Sequence, residues 1–240
     1  MNPEAQKPGD AAGRTSPEAT ARTSTPASAP RPLLWAGLGL LLALLTGVLL
    51  VAALQSRSAA RAPLPVYGSV GNFTLTNQDG AAVSLRELQG HVWVADLIFT
   101  RCPGPCLKMT QQMKELQQAL PQASQARLVS LTTDPDFDKP SVLKSYARRF
   151  GADPGRWLFL TGAKKQLASL AIDSLKLTAI EKAPADRQSA EDLFVHSTIL
   201  VLVDRQARLR GIFETTGEGV VPEQVKGQVI RAVRQLEREP

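Results

Sequence analysis

The stretch VWVADLIFTRCPGPC, residues 92–106, decides the fold, because an apolar run ends there in a turn that carries both cysteines of the chain. The run over residues 92–99 is interrupted by Asp96 alone, which is the pattern of a strand buried on both faces in the middle of a sheet. Gly104 precedes a proline and is steered away from helical angles, while Pro105 has the fixed φ and the missing donor that suit a first helical position. A helix is therefore predicted to begin at Pro105. Cys106, Met109, Met113, Leu116 and Leu120 then recur at helical spacing along one stripe.

The same strand-then-helix pattern continues toward the C-terminus. Residues 128–131 read as a strand, and Leu143, Tyr146, Ala147 and Phe150 mark a helix closed by Gly151. Residues 157–160 give a third strand, followed by a helix through Leu167, Leu170 and Ala171. Such alternation implies parallel strands with helices on both faces. Residues 195–203 and 208–213 read as two strands pairing antiparallel across the polar residues 204–207. Val225, Val229, Ile230, Val233 and Leu236 make a last helix. Before the deciding stretch, residues 71–83 break at Asp79-Gly80 and read as a peripheral hairpin. The expected fold class is α/β, a mixed sheet flanked by helices.

Further out, the N-terminal third differs in kind. Residues 1–32 contain 22 drawn from Pro, Ala, Ser, Thr and Gly, too little apolar surface to offset the entropy of ordering, and a disordered tail is expected. Residues 33–54 carry no charge and include eleven leucines. At about 1.5 Å per helical residue they span a hydrocarbon core of roughly 30 Å, so one transmembrane helix is expected. A cleaved signal peptide competes through the small-x-small site Ala60-Arg61-Ala62, but the apolar run is long for one. A proline-bearing linker over residues 55–65 leads into a single domain over residues 66–240. Arg14, Arg22 and Arg31 before the span, against Arg57 and Arg61 after it, favour a cytoplasmic tail. The expected location is a bacterial inner membrane, single-pass, with the domain in the periplasm or otherwise outside the cytoplasmic membrane. The net charge of +6 is scattered along the chain, so no nucleic acid is expected as a partner.

A disulfide closing the short Cys102–Cys106 loop would constrain little of the unfolded chain, so chemistry is a better reason than stapling for the pair. Two small buried core residues are the plain alternative. The predicted helix start sets Cys106 in the first turn and Cys102 just before it, where unpaired N–H groups stabilise a thiolate able to bind a soft metal or attack a disulfide. Of the two histidines, His91 follows Gly90 in a turn and needs no special role. His196 opens a long apolar strand after the polar residues 181–192.

Four motifs occur in order: Phe99-Thr100-Arg101-Cys102-Pro103-x-x-Cys106, Thr133-Asp134-Pro135-x-x-Asp138, Leu160-Thr161-Gly162 and His196-Ser197-Thr198. Together they resemble the Sco/SenC family of copper chaperones over residues 66–214. The resemblance implies a thioredoxin-like fold in which Cys102, Cys106 and His196 bind one copper ion, Cu(I) or Cu(II), for assembly of the copper site of cytochrome c oxidase. Its implied partner is the copper-bearing subunit of that oxidase or another thiol protein. Thiolates select soft Cu(I), and an added imidazole makes a site able to hold Cu(II). Leu107 stands where the family commonly has proline.

Asp96, six residues before the first cysteine, resembles the acid of thioredoxins that assists proton transfer during disulfide exchange. If desolvated it is a candidate proton acceptor; the alternative is an exposed or hydrogen-bonded position of no chemical role. Asp134 and Asp138 are expected to close a strand-to-helix loop, with Asp138 or Lys139 near the N-cap of the helix through Pro140, rather than to bind metal. Met109 and Met113 are expected to pack in the core. Zinc remains a minor reading, without a nearby base in the linear motifs. Two functions stay open: a copper metallochaperone using Cys102, Cys106 and His196, or a membrane-anchored thiol-disulfide oxidoreductase using Cys102, Cys106 and Asp96.

Overall fold

In a computed structural model, the described residues are 31–59, 63–102, 104–181, 183, 185, 194–196 and 198–239. The tail expected to be disordered lies outside them except for its last two residues. Most of the polar loop 181–192, Pro103 and Ser197 lie outside them too. The chain divides into two units, Met1–Ala62 and Pro63–Pro240. In the first, helix α1, Arg31–Ala59, contains the apolar segment Trp35–Ala53, long enough and apolar enough to cross a bilayer. The Thr46 hydroxyl donates to the carbonyls of Leu42 and Ala43 at 2.9 Å, so its polar group is satisfied within the helix.

The second unit runs β1 Gly68–Ser69, β2 Thr74–Asn77, β3 Ala82–Ser84, α2 Leu85–Leu88, β4 Trp93–Ile98 and α3 Pro105–Ala119. It continues with β5 Arg127–Thr132, α4 Pro140–Phe150, β6 Trp157–Thr161 and α5 Lys164–Ala168, which passes into a π-helical turn, Ser169–Ser174. The last elements are β7 Ala179–Glu181, β8 Phe194–His196, β9 Ile199–Val203, β10 Arg208–Glu214 and α6 Pro222–Leu236. Eight strands form one sheet in the order β1-β10-β9-β4-β5-β6-β2-β3. The central β4, β5 and β6 are parallel; every other pairing is antiparallel. The mixed sheet and the hairpin at its edge agree with the sequence reading.

Alternation along β4 sorts its side chains between two apolar layers. Val94 and Ile98 join Met109, Met113 and Leu116 of α3, Leu143 and Tyr146 of α4 and Val229 and Val233 of α6. Trp93, Ala95 and Leu97 join Leu85, Leu88, Leu167 and Leu170 on the other face. All six residues of β4 are buried, as its unbroken apolar run requires. Pro105 and Pro140 take the first turns of α3 and α4, and Gly151 closes α4 at φ 69°, the left-handed geometry that glycine adopts at low cost.

One strand differs from expectation. Residues 195–203 are two elements, not one: β9 stays in the main sheet, whereas β8 pairs with β7 in a separate two-stranded sheet, His196 opposite Ala179. The β9–β10 ladder ends at Glu214 opposite Ile199, and the next carbonyl, that of Thr198, is taken by the N–H of Thr215 at 2.9 Å. Upstream residues therefore have no place on β10 and find their partner in β7. The sequence reading carried one strand from Val195 to Val203 across His196-Ser197-Thr198, because local periodicity does not show where the ladder on a downstream strand ends.

Candidate metal and thiol site

Cys102 lies in the loop leaving β4 and Cys106 in the first turn of α3; both are buried, and no disulfide joins them. The N–H of Cys102 donates to the Phe99 carbonyl at 3.2 Å, curling the loop back over the end of the strand. The N–H of Cys106 points at Cys102 Sγ, 3.4 Å away. The donor at the helix start thus serves the sulfur of Cys102. The Cys106 thiol is pushed up from its ordinary range, first by its hydrogen bond with Cys102 and then by burial. A neighbouring sulfur and an apolar surround thus favour the protonated form of Cys106 in the dithiol.

Asp96 lies at the centre of β4 with no exposed surface. Alternation turns it to the layer of α3, the face that also carries Cys106 and Met109. Its Oδ1 accepts from Ser130 Oγ at 2.6 Å, and Ser130 Oγ in turn accepts from Trp157 Nε1 at 3.0 Å. The other oxygen, Oδ2, has no hydrogen-bond partner among the described residues. Burial pushes the Asp96 carboxyl up to about 7, against a partial opposing effect of Ser130. A carboxyl so placed holds its proton at mildly acid pH and can release it near neutrality.

A second acid secures the cysteine loop. Asp138 is fully buried and accepts from Thr100 N at 3.1 Å, from the Thr100 hydroxyl and from the Thr132 hydroxyl at 2.5 Å. It does not cap α4, whose N-cap is Lys139; the carboxylate turns inward because three donors at the ends of β4 and β5 need an acceptor. Asp134 pairs with Arg101 at 2.5 Å, and the Arg101 guanidinium stacks over Phe137 at 4.3 Å. Both acids therefore hold the loop that delivers Cys102. Thr132 is a partner that the sequence reading did not name, and Thr100 stood there only within the first motif, without this role; hydroxyls closing two adjacent parallel strands are the signal that was present.

Among the described residues no three His, Cys, Asp or Glu side chains gather closely enough to hold a metal ion. Those that the structure does bring together are Cys102 and Cys106. His196 is placed by its backbone at the end of β8, three residues before β9 begins. His91 sits apart and hydrogen-bonds through Nδ1 to the Gln125 carbonyl at 3.1 Å. Met109 and Met113 are buried in the core, and Met109 Sδ accepts from the Thr215 hydroxyl at 3.0 Å. Gly162 of the third motif is a packing residue: a Cβ there would lie 2.6 Å from Leu75 Cδ2.

The sequence pattern of the SCO1/SenC family matches residues 64–233. The chain is 39% identical over 141 residues to the SCO1 protein homolog of Bacillus subtilis, covering 58% of this chain and 70% of that one. It is 30% identical over 150 residues to a Stutzerimonas stutzeri protein described as copper-binding, covering 62% and 70%. The solved structure of BsSco superposes with a TM-score of 0.58 at 30% identity, over 71% of this chain and 98% of that one. BsSco is described as a member of the Sco family of cytochrome c oxidase assembly proteins that contains a disulfide switch. The fold is thioredoxin-like.

Proposed function

Since the chain belongs to the SCO1/SenC family, we propose that it is a copper-binding assembly factor for cytochrome c oxidase, with Cys102, Cys106 and His196 as ligands. The observation that carries this reading is the placement of two buried cysteine sulfurs at the start of α3, with Cys106 N directed at Cys102 Sγ. The donor set fits the ion. Two thiolates suit Cu(I), and displacement of both thiol protons removes the proton-bearing Cys102–Cys106 contact that holds Cys106 protonated. An imidazole from the segment ending in His196 would extend the site to Cu(II).

Copper here is cargo. Burial of both sulfurs protects the bound ion from competing ligands, and delivery requires the Cys102 loop to open toward the acceptor, so that ligands are exchanged one at a time. The apolar span of α1 supports a membrane anchor, and in this reading the domain faces the compartment outside the cytoplasmic membrane. The acceptor in this reading is the copper-bearing subunit of the oxidase.

A second reading is favoured by one observation of its own, the buried Asp96 of β4, turned to the layer of α3. In thiol-disulfide exchange one cysteine thiolate attacks a partner disulfide, a mixed disulfide forms, and the second cysteine resolves it. The substrate leaves as a dithiol and this chain as the disulfide. Asp96 would accept the proton of the resolving thiol. Loading the detergent-solubilised, reduced full chain with copper tests the choice. The chaperone reading expects one tightly held equivalent that Cys102→Ser or Cys106→Ser abolishes; absence of stoichiometric uptake leaves the oxidoreductase.

A further inference from the structure

We infer that Thr215 is a positioning residue of this site, fastening the segment that carries His196 to the helix that begins with the cysteines. The inference rests on the Cys102-Cys106-His196 reading and adds to it the element that sets the third ligand's distance.

Thr215 follows β10 and is buried. Its N–H donates to the Thr198 carbonyl at 2.9 Å. Its hydroxyl lies 2.8 Å from the same carbonyl and 3.0 Å from Met109 Sδ, so one proton serves two acceptors. The carbonyl of Thr215 accepts from Gln112 Nε2 at 3.3 Å, and the neighbouring Thr216 hydroxyl donates to Thr198 Oγ1 at 2.6 Å. Met109 and Gln112 belong to α3, Met109 one turn beyond Cys106. Thr198 is two residues beyond His196. One side chain therefore touches both the cysteine helix and the start of the strand after the histidine.

The consequence is geometric. Two extended residues reach at most about 7 Å, so a fixed Thr198 confines the His196 Cα to a shell of that radius. A core position of this kind ordinarily takes an apolar side chain; a hydroxyl directed at a thioether and a carbonyl at once joins two elements where packing alone would let them slide. Cu(I) is satisfied by two thiolates, whereas Cu(II) requires the imidazole, so loosening this link should act on the Cu(II) form first.

The test compares the detergent-solubilised full chain with Thr215→Val, Thr215→Ser, Met109→Leu and His196→Ala. The readouts are Cu(II) and Cu(I) affinities by chelator competition, the nitrogen hyperfine coupling of the Cu(II) resonance spectrum, and a thermal melt. Thr215→Val should lose at least tenfold in Cu(II) affinity and alter the nitrogen coupling, while Cu(I) affinity moves less than threefold. Thr215→Ser, which keeps the hydroxyl, should restore both Cu(II) readouts. Met109→Leu removes only the sulfur acceptor; it should shift the Cu(II) readouts in the same direction by at least threefold, and it carries the test should Thr215→Val not fold. An unchanged spectrum and a Cu(II) affinity within twofold of wild type in the folded variant overturn the inference. If His196→Ala itself leaves the nitrogen coupling intact, the ligand assignment fails and this inference falls with it.

Discussion

Ser130 Oγ donates to Asp96 Oδ1 at 2.6 Å across the central pair of parallel strands, where the two residues stand directly opposite. The bond leaves Asp96 Oδ2 without a hydrogen-bond partner among the described residues in a fully buried position, and a neutral carboxyl is the form such a site tolerates.

The stability of the protein should therefore depend on pH through Asp96. Its folded-state pKa is raised from 3.8 to about 7, so the native state keeps a proton that the unfolded chain has released. Stability on this account falls as pH rises from about 4 to about 7 and is level above that window. Three pKa units set an upper bound of about 4 kcal/mol. Asp96→Asn removes the dependence: in denaturant titrations the variant should gain on wild type by several kcal/mol between pH 4 and pH 8. Parallel pH profiles for the two proteins would contradict the assignment.

Asp138 makes a different prediction, about the loop of Cys102. Asp138→Ala leaves the buried donors at Thr100 and Thr132 without their acceptor and should cost about 2–4 kcal/mol of stability. With the loop released, alkylation of Cys102 in the native protein should quicken by tenfold or more, whereas an acid that merely solvates the surface would leave the rate unchanged.

Arg210 ties three parts of the domain together. It is buried, pairs with Asp204 at 2.7 Å and Glu239 at 2.9 Å, and donates to the carbonyls of Leu64 and Pro65. Burial pushes Asp204 up, but its bonds from Arg210 and Arg208 prevail and hold it below the ordinary range. Arg210→Met removes the buried guanidinium from Asp204, which keeps Arg208 as its remaining cation, and should cost about 1–3 kcal/mol at neutral pH, read by thermal or chemical unfolding. The wild-type contribution of Asp204 is fully present above the usual carboxylate pKa and is lost as pH falls through its lowered value, so the gap between variant and wild type should narrow in acid. A constant gap would contradict this.

The copper and disulfide readings separate by substitution. His196→Ala should weaken copper binding while leaving reduction of a model disulfide nearly intact; Asp96→Asn should do the reverse, slowing exchange by tenfold or more near pH 7. Equal effects of both variants on both assays would mean that neither division of roles holds.

Much of this fold was legible because its centre obeys local rules. Residues 92–106 combine a doubly buried strand, a Gly-Pro turn and an N1 proline, and each of these acts within a few residues. The cysteines and the acid of β4 were legible for the same reason. The break between β8 and β9 was not, since it follows from where the β10 ladder ends, and β10 lies downstream of both. Nor was the role of Asp138: the reading placed Asp138 or Lys139 near the N-cap of α4, and Lys139 takes that place, but the donors that claim Asp138 come from Thr100, 38 residues away in sequence, and Thr132. Thr215 belongs to the same class, its partners Met109 and Thr198 being brought to it by tertiary packing alone.

Copper-edge X-ray absorption of the reduced full chain loaded with one equivalent of copper tests the central claim most directly. The account predicts two sulfur ligands in the Cu(I) form, lost in Cys102→Ser or Cys106→Ser, and an added nitrogen in the Cu(II) form that disappears in His196→Ala. A first shell of oxygen and nitrogen alone, unaffected by these substitutions, would contradict it.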